Sequence, residues 1–146
     1  MATKQQKIVG SSEIVDFPEF KLCDVPAKVD TGADTGALHC TKIEEKTVKG
    51  KQVIEFSPFD KPEVTITADI FSIRHVRSSN GQAKQRYFIS TVISVQGVQY
   101  PIQLSLADRT EMTWPVLIGK RFLADNEFLV DVTMESPISF AEKELS

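Results

Sequence analysis

The stretch AKVDTGADTGALHC, residues 27–40, decides the fold, because in it a buried strand pattern runs into a tight turn. The apolar residues of VPAKV lead directly to Asp30, and the glycine at position 32 then lets the backbone turn sharply. The tetrapeptide Asp-Thr-Gly-Ala begins at Asp30 and again, in tandem, at Asp34. A solvated surface turn is seldom entered from a buried strand, so this context strengthens the case for a chemical role, with a plain surface turn as the alternative.

Asp-Thr-Gly is the active-site signature of aspartic peptidases, in which two carboxylates face one water molecule. Asp30 and Asp34 are four residues apart, and an extended path would separate them by up to ~13 Å. Neighbours on one tight loop seldom point at a common water. We therefore take Asp30 as the catalytic candidate, with a partner from elsewhere. Asp34 is more simply a turn aspartate that pairs with a base or caps local amides.

Length and charge bound the remaining possibilities. The chain has 146 residues, enough for one domain with a real core, and a formal net charge of −3. That balance gives no pull toward nucleic acid, and no apolar run approaches the ~20 residues of a membrane span. The N-terminal residues lack the apolar segment of a secretory signal, and two cysteines are too few for a disulfide framework. We expect a soluble, cytoplasmic domain with no nucleic-acid or membrane partner.

The periodicity of the chain indicates a β protein. Alternating apolar and polar residues predict half-buried strands at 63–70, 86–95 and 101–107. The pair Asn80 and Gly81 is the strongest hairpin signal, since both residues tolerate positive φ. The segment GKRFLADN, residues 119–126, predicts a single helix of two turns at most. The pattern is that of an all-β barrel or sandwich with one small helix.

A second motif lies late in the chain. VDTGAD at 29–34 and VLIGKRFL at 116–123 together resemble the pattern of retropepsins, the retroviral-type aspartic peptidases. The resemblance implies an all-β fold, a closed retropepsin-like acid-protease β-barrel with one short C-terminal helix. It also implies a homodimer, in which the partner of Asp30 is Asp30 of a second, symmetry-related chain.

A closer resemblance covers most of the chain. Its four motifs, similar in order and content to those of one bacterial family, lie at 7–18, 27–39, 77–86 and 106–123. That family carries the name ATP-dependent zinc proteases, is retropepsin-like in fold, and is often associated with glutamate ligases that add glutamate tails to a ribosomal protein. The family usually has serine where this chain has Gly36. The expected organisation is a flexible tail at 1–6, the domain at 7–135 and a second tail at 136–146.

The residues themselves argue against that family name. The chain has no Gly-x-x-x-x-Gly-Lys-Ser/Thr loop for ATP and no His-Glu-x-x-His cluster for zinc. Its only thiols and imidazoles belong to Cys23, His39, Cys40 and His75. His39 and Cys40 are adjacent, so along a strand they face opposite ways. We expect no metal site and no cofactor, with His39 a packed polar residue and His75 on an exposed strand.

The resemblance also nominates substrate-binding residues. They are Ala33 and Asp34 beside the catalytic turn, together with Ser78, Asn80, Arg86 and Arg109. A guanidinium grips a carboxylate through two parallel hydrogen bonds, which suits a glutamate-rich peptide. Segment 72–88 is basic and stands where a retropepsin has its flap, although it lacks a glycine-rich tip. The alternative is a solvated hairpin whose charges protect an edge strand from aggregation.

One further ion pair is expected from the resemblance. In retropepsins the aspartate two residues after Asp-Thr-Gly, here Asp34, is tied to the arginine that follows the late glycine. Lys120 occupies that arginine's place in this chain, and Arg121 is next. Lysine offers a point charge rather than a planar fork, so we expect a looser tie unless Arg121 serves instead.

The hypothesis from the sequence is an aspartic peptidase, active as a homodimer, with Asp30, Thr31 and Gly32 in the catalytic turn. Thr31 would brace the loop across the dimer axis, and Gly32 would let the substrate backbone approach. The expected substrate is an acidic or glutamate-tailed peptide that binds as an added strand. Two alternatives stay open: a non-catalytic module that recognises glutamate-tailed protein or a ligase partner, and a zinc metallopeptidase.

Overall fold

The computed structural model describes residues 7–59, 61–77, 81, 83–107 and 114–134. Within these residues the chain forms eleven β-strands and one α-helix. The strands are β1 (Lys7–Val9), β2 (Ser12–Phe17), β3 (Leu22–Val29), β4 (Gly36–Val48), β5 (Lys51–Pro58), β6 (Ile66–Ala68), β7 (Phe71–Arg77), β8 (Ala83–Val95), β9 (Val98–Ala107), β10 (Val116–Ile118) and β11 (Phe128–Val130). Helix α1 spans Lys120–Asp125, and a 3-10 turn covers Pro18–Phe20.

Six of the described strands close into a barrel. They pair in the order β10, β3, β2, β8, β9 and β4, and β4 pairs in turn with β10 to complete the ring. The β3–β10 and β4–β9 pairs are parallel, whereas the other neighbours in the ring are antiparallel. Closure leaves no free edge along the ring, which is how small β proteins avoid edge-to-edge association. The expected all-β, closed retropepsin-like barrel with one short helix is confirmed.

Three additions lie outside this ring. Strands β5 and β6 extend the sheet beyond β4, and β7 pairs with the N-terminal half of β8 to form a hairpin. The hydroxyl of Tyr87, on β8, donates to Glu45 Oε2 at 3.0 Å and so joins this hairpin to β4. Strands β1 and β11 form a separate two-stranded parallel sheet.

Alternate residues along the strands point their side chains into the barrel and form its core. On β8, Ile89 and Ile93 are fully buried, and across the ladder Leu104 of β9 is fully buried opposite Ile89. A second group of aromatic side chains packs around α1, where the rings of Tyr100, Phe122 and Phe128 meet at centroid distances of 5.3–5.8 Å. These contacts bury the apolar face of the helix against the barrel.

The predicted elements agree with the structure except in one place. The strand at 86–95, the strand at 101–107 and the helix at 119–126 are confirmed. The predicted strand at 63–70 is too long, because strand structure there covers only Ile66–Ala68. The chain bends at Asp69 and Ile70 as it passes from β6, paired with β5, to β7, paired with β8, and Ile70 is left 62% exposed.

Candidate active site

The barrel itself places Asp30. Val29 is the last residue of β3, and its neighbour on β10 is Ile118. The backbone N–H of Asp30 donates to the carbonyl of Ile118 at 2.9 Å, so the turn begins while the chain is still attached to β10. Ala27 and Val29 are buried, whereas Asp30 is only half-buried. A core strand therefore delivers a solvent-reachable carboxylate at its end.

The Asp-Thr-Gly turn is held by its own hydrogen bonds. The N–H of Gly32 donates to Asp30 Oδ1 at 3.0 Å, and the N–H of Ala33 donates to the Asp30 carbonyl at 3.2 Å. The first bond fixes the direction of the carboxylate, while Oδ2 has no such restraint from the turn. A Cβ at position 32 would lie 3.3 Å from Asp30 Oδ1. Thr31 and Gly32 are exposed.

Helix α1 fixes the far side of the turn. The N–H of Lys120 donates to the Ala33 carbonyl at 2.7 Å, and the N–H of Arg121 donates to the Asp34 carbonyl at 3.0 Å. Arg121 Nη2 also lies 3.1 Å from Asp34 Oδ2. Of the two bases considered for the Asp34 tie, Arg121 therefore forms the ion pair, and Lys120 contributes through its backbone.

The second Asp-Thr-Gly has a different geometry from the first. Gly36 is the first residue of β4, and a Cβ there would overlap the carbonyl oxygen of Leu117. A Cβ on Gly119 would lie 2.6 Å from the backbone nitrogen of Gly36. The two glycines thus allow β4 and the start of α1 to pass in direct backbone contact. Gly36 serves close packing, and Asp34 is a turn aspartate as expected.

A basic hairpin lies two strands away from the turn, because β2 separates β8 from β3 and β9 separates β8 from β4. The predicted hairpin is confirmed in the antiparallel pairing of β7 with β8, in which Arg74 stands directly opposite Arg86. Arg86 is half-buried. The guanidinium of Arg74 lies over the ring of Phe88, with 4.3 Å from Cζ to the centroid, and donates to Gln103 Oε1 at 3.2 Å.

Three nominated residues lie outside the described part of the chain. They are Ser78, Asn80 and Arg109. Their assignment to substrate binding stays a prediction, as does that of Ala33, Asp34 and Arg86. A flap role for segment 72–88 also stays a prediction.

A small cavity adjoins the turn. It has a volume of about 160 Å³ and lies between β9 and α1. Thr35, Gly36, Gln103 and Arg121 are among its lining residues. Because Gln103 also holds Arg74, one side chain connects the cavity to the basic hairpin.

The described His and Cys side chains do not come together as a zinc site. His39 is buried on β4, as predicted for a packed polar residue, and Cys40 is buried on the opposite face of the same strand. Cys23 and His75 are exposed on other strands. In the part of the chain that the structure describes, no three His, Cys, Asp or Glu side chains come together as metal ligands. In the same residues, no helix has the length and hydropathy of a membrane span.

Several residues of the site were not nominated from the sequence. Ile118 and Gly119 act through the backbone, and only their place in the late Gly motif points to them. Arg74 and Gln103 were not singled out for binding because their contact depends on strand order and register. For Arg74, the available signal is a predicted hairpin whose two strands both carry arginine, and Gln103 has no such signal.

Comparison with solved structures supports the fold. A protein of unknown function (DUF785) from Legionella pneumophila, Lpg0085, superposes with a TM-score of 0.75 at 21% identity, over 91% of this chain and 98% of its own. This likeness concerns the barrel architecture alone.

Comparison with known sequences identifies longer proteins that contain a segment similar to this chain. A protein named "Probable alpha-L-glutamate ligase" from Shewanella pealeana is 30% identical over 129 residues, which is 85% of this chain and 28% of the relative. One of the same name from Desulfotalea psychrophila is 25% identical over 144 residues, 95% of this chain and 31% of the relative. The chain thus spans about a third or less of the length of these curated relatives. A family model, described as retropepsin-like aspartic endopeptidase RimB, matches residues 8–139. The chain belongs to this RimB-like family.

Proposed function

We propose that this protein is an aspartic-type peptidase that works as a homodimer, with Asp30 of each chain supplying one carboxylate. The observation that carries the proposal is the position of Asp30. It directly follows a core strand, its N–H donates to the Ile118 carbonyl and its Oδ1 accepts from the N–H of Gly32, yet it is only half-buried. A carboxylate presented in this fixed way can face a second copy across a symmetry axis.

The chemistry follows from the pairing of two such carboxylates. Like charges held close together cannot both ionise, so the pair would share one proton. The ionised member would act as base on a bound water, and the protonated member would polarise the scissile carbonyl. Thr31 would brace the turn across the axis, and exposed Gly32 would let the substrate backbone approach. The substrate would lie extended between the two chains.

We propose an acidic peptide, such as the glutamate tail of a ribosomal protein, as the substrate class, and the cytoplasm as the place of action. Two observations support this choice. Relatives that contain a similar segment are named as glutamate ligases, and the hairpin beside the barrel presents Arg86 and Arg74. Guanidinium groups bind carboxylates well, and Arg109 would add a third.

A second candidate function is a non-catalytic module that recognises glutamate-tailed protein or a ligase. It is favoured by the relatives, in which the similar segment makes up 28–31% of a longer chain, as an accessory domain would. In this case the bond from Gly32 to Asp30 Oδ1 would serve only to shape the turn. A monomer would favour this candidate, because one Asp30 makes no dyad.

Cleavage of a glutamate-tailed peptide, followed by mass spectrometry with a metal chelator present, tests the proposal. The wild type is expected to cleave and Asp30→Asn to be inactive. Asp24→Asn is the matched control, because it makes the same change at an exposed position on β3 whose positive φ of 55° asparagine tolerates.

Each other result selects a different function. Activity lost to the chelator in the wild type would point to a metallopeptidase. Absence of cleavage by both proteins, with binding of the peptide retained, would point to the recognition module. Cleavage by Asp30→Asn as fast as by the wild type would remove Asp30 from the mechanism.

A further inference from the structure

Two arginines face each other directly across the β7–β8 hairpin. Arg74 and Arg86 are cross-strand partners, so their Cβ atoms lie about 5 Å apart. Like charges directly opposite one another destabilise a strand pair. In the described residues, the ion pairs join Lys46 to two glutamates, Lys51 to Asp69 and Arg121 to Asp34, and none reaches either arginine. Among the described residues, the two positive charges of the hairpin therefore have no acidic partner.

Arg74 is held in place rather than left to move freely in solvent. Its guanidinium lies on the face of Phe88, which is 7% exposed, and one of its nitrogens donates to Gln103. Among the described residues, stacking on this ring and the hydrogen bond to Gln103 leave other N–H groups of the planar fork without a partner. Charges that only protect an edge strand need no such anchoring. The arrangement is that of a pre-positioned anion binder.

The anchor connects the arginine pair to the catalytic turn. Gln103 precedes Leu104, whose partner on β4 is Gly36, the residue that ends the turn region. The hydroxyl of Ser105 donates to the Gly36 carbonyl at 3.3 Å and ties the same two strands together. Gln103 also lines the cavity beside Thr35.

We propose that Arg74 and Arg86 together form a carboxylate-binding site that selects an acidic side chain of the extended substrate. Arg74 supplies the pre-positioned fork, and half-buried Arg86 supplies the second charge. Binding of a carboxylate between them would relieve their mutual repulsion, so an acidic residue gains more here than a neutral isostere. This inference rests on the proposed function for the identity of the ligand, and it adds the residues that read the ligand's charge.

The test compares two peptides that differ only in charge. A fluorescent glutamate-tailed peptide and its glutamine-tailed counterpart are titrated against Asp30→Asn protein, which does not consume them, and binding is read by fluorescence anisotropy. Arg74→Gln and Arg86→Gln are each expected to weaken binding of the glutamate peptide about tenfold, or 1.4 kcal/mol. Binding of the glutamine peptide should change less than about twofold. Arg74→Lys, which keeps the charge but loses the fork, should lie between.

Lys49→Gln is the matched control for net charge. Lys49 is exposed at the β4–β5 turn, and its removal should leave both affinities unchanged. The proposal is overturned if Arg74→Gln weakens both peptides equally, or if Lys49→Gln reproduces its effect, because the loss would then be structural or a matter of net charge.

The cleavage assay separates this inference from the proposed function. Glutamate-selective binding that depends on Arg74, in a protein that cleaves nothing, would support the carboxylate site and refute the peptidase. Cleavage of the glutamate and glutamine peptides at equal rates by wild type and Arg74→Gln would support the peptidase and refute the site.

Discussion

Arg121 and Asp34 are joined twice, once through the backbone and once through their side chains. The N–H of Arg121 donates to the Asp34 carbonyl at 3.0 Å, and its Nη2 lies 3.1 Å from Asp34 Oδ2. The backbone hydrogen bond attaches the turn to α1 and does not depend on the side chains. The ion pair is a second, solvent-exposed contact between the same two residues. The two contacts therefore differ in what their loss should do.

Removal of the ion pair should cost little stability. Both side chains are more than half exposed, so Arg121→Ala is expected to lower the free energy of unfolding by only about 0.5 kcal/mol. The measurement is urea unfolding in a double-mutant cycle with Asp34→Asn, and Lys120→Ala serves as the control cation. A coupling energy above about 2 kcal/mol would show that the pair is shielded from solvent, contrary to the exposure seen here.

A methyl group placed between the closely packed backbones at Gly119 and Gly36 should lower stability more than the loss of the ion pair does. Gly119→Ala would place a methyl group 2.6 Å from the nitrogen of Gly36 and 2.7 Å from the carbonyl carbon of Thr35, neither of which can move as a flexible side chain would. We expect a loss of about 2 kcal/mol in unfolding free energy, with the catalytic turn displaced and cleavage reduced.

The comparison for this change is Gly50→Ala, at the β4–β5 turn. Its φ of +78° makes alanine unfavourable by about 1 kcal/mol, although no atom lies within 4 Å of the new methyl. Cleavage should be unaffected in that variant. Equal losses of activity in the two variants would mean that the Gly36–Gly119 contact has no particular role in shaping the site.

The link between Tyr87 and Glu45 predicts a stability change at alkaline pH. Burial, followed by the hydrogen bond to Glu45, raises the pKa of Tyr87 above its ordinary value of 10.0. The folded state therefore holds the phenolic proton more tightly than the unfolded state. The resulting stability is fully present below about pH 10 and is lost as pH rises through the raised pKa.

Thermal unfolding between pH 8 and pH 11 checks this direction. The melting temperature of the wild type should fall more steeply above pH 10 than that of Tyr87→Phe, which has no phenolic proton at this position. Parallel curves for the two proteins would contradict the raised pKa.

Mixing of subunits tests whether two chains share one site. If each active site needs Asp30 from both chains, equimolar wild type and Asp30→Asn, allowed to exchange freely, should retain about half the activity per wild-type chain, because half of the partners carry asparagine. An excess of the variant should lower it further. Activity proportional to the amount of wild type alone, while exchange is verified by a mass tag, would contradict a shared dyad.

Much of the fold was accessible from the sequence because its signals are local. The alternation on β8 and β9 marks the buried faces that the barrel uses, and the helix begins directly after Gly119 as predicted. The strand predicted at 63–70 failed because its alternation continues through a bend, and only the choice of partner strand fixes where β6 ends. Local periodicity cannot report a change of partner.

The Asp-Thr-Gly turn was predictable, whereas its surroundings depend on register. Asp30 follows from the Asp-Thr-Gly motif and the strand before it, but the bond to Ile118 requires the parallel β3–β10 pairing. A two-residue turn at Asn80 and Gly81 would have set Arg74 opposite Tyr87. The observed ladder sets it opposite Arg86 instead, and a shift of one residue is beyond what turn composition specifies.

The parallel pairing of β1 with β11 brings together the two ends of the described chain. Lys7 lies beside Phe128 and Val9 beside Val130, so the points where the polypeptide enters and leaves the barrel are separated by roughly 10 Å. A domain with adjacent ends can be spliced into a longer polypeptide as a cassette without stretching its host. The barrel is thus suited to be carried as one unit within a longer chain, and a similar segment makes up 28–31% of the relatives named above.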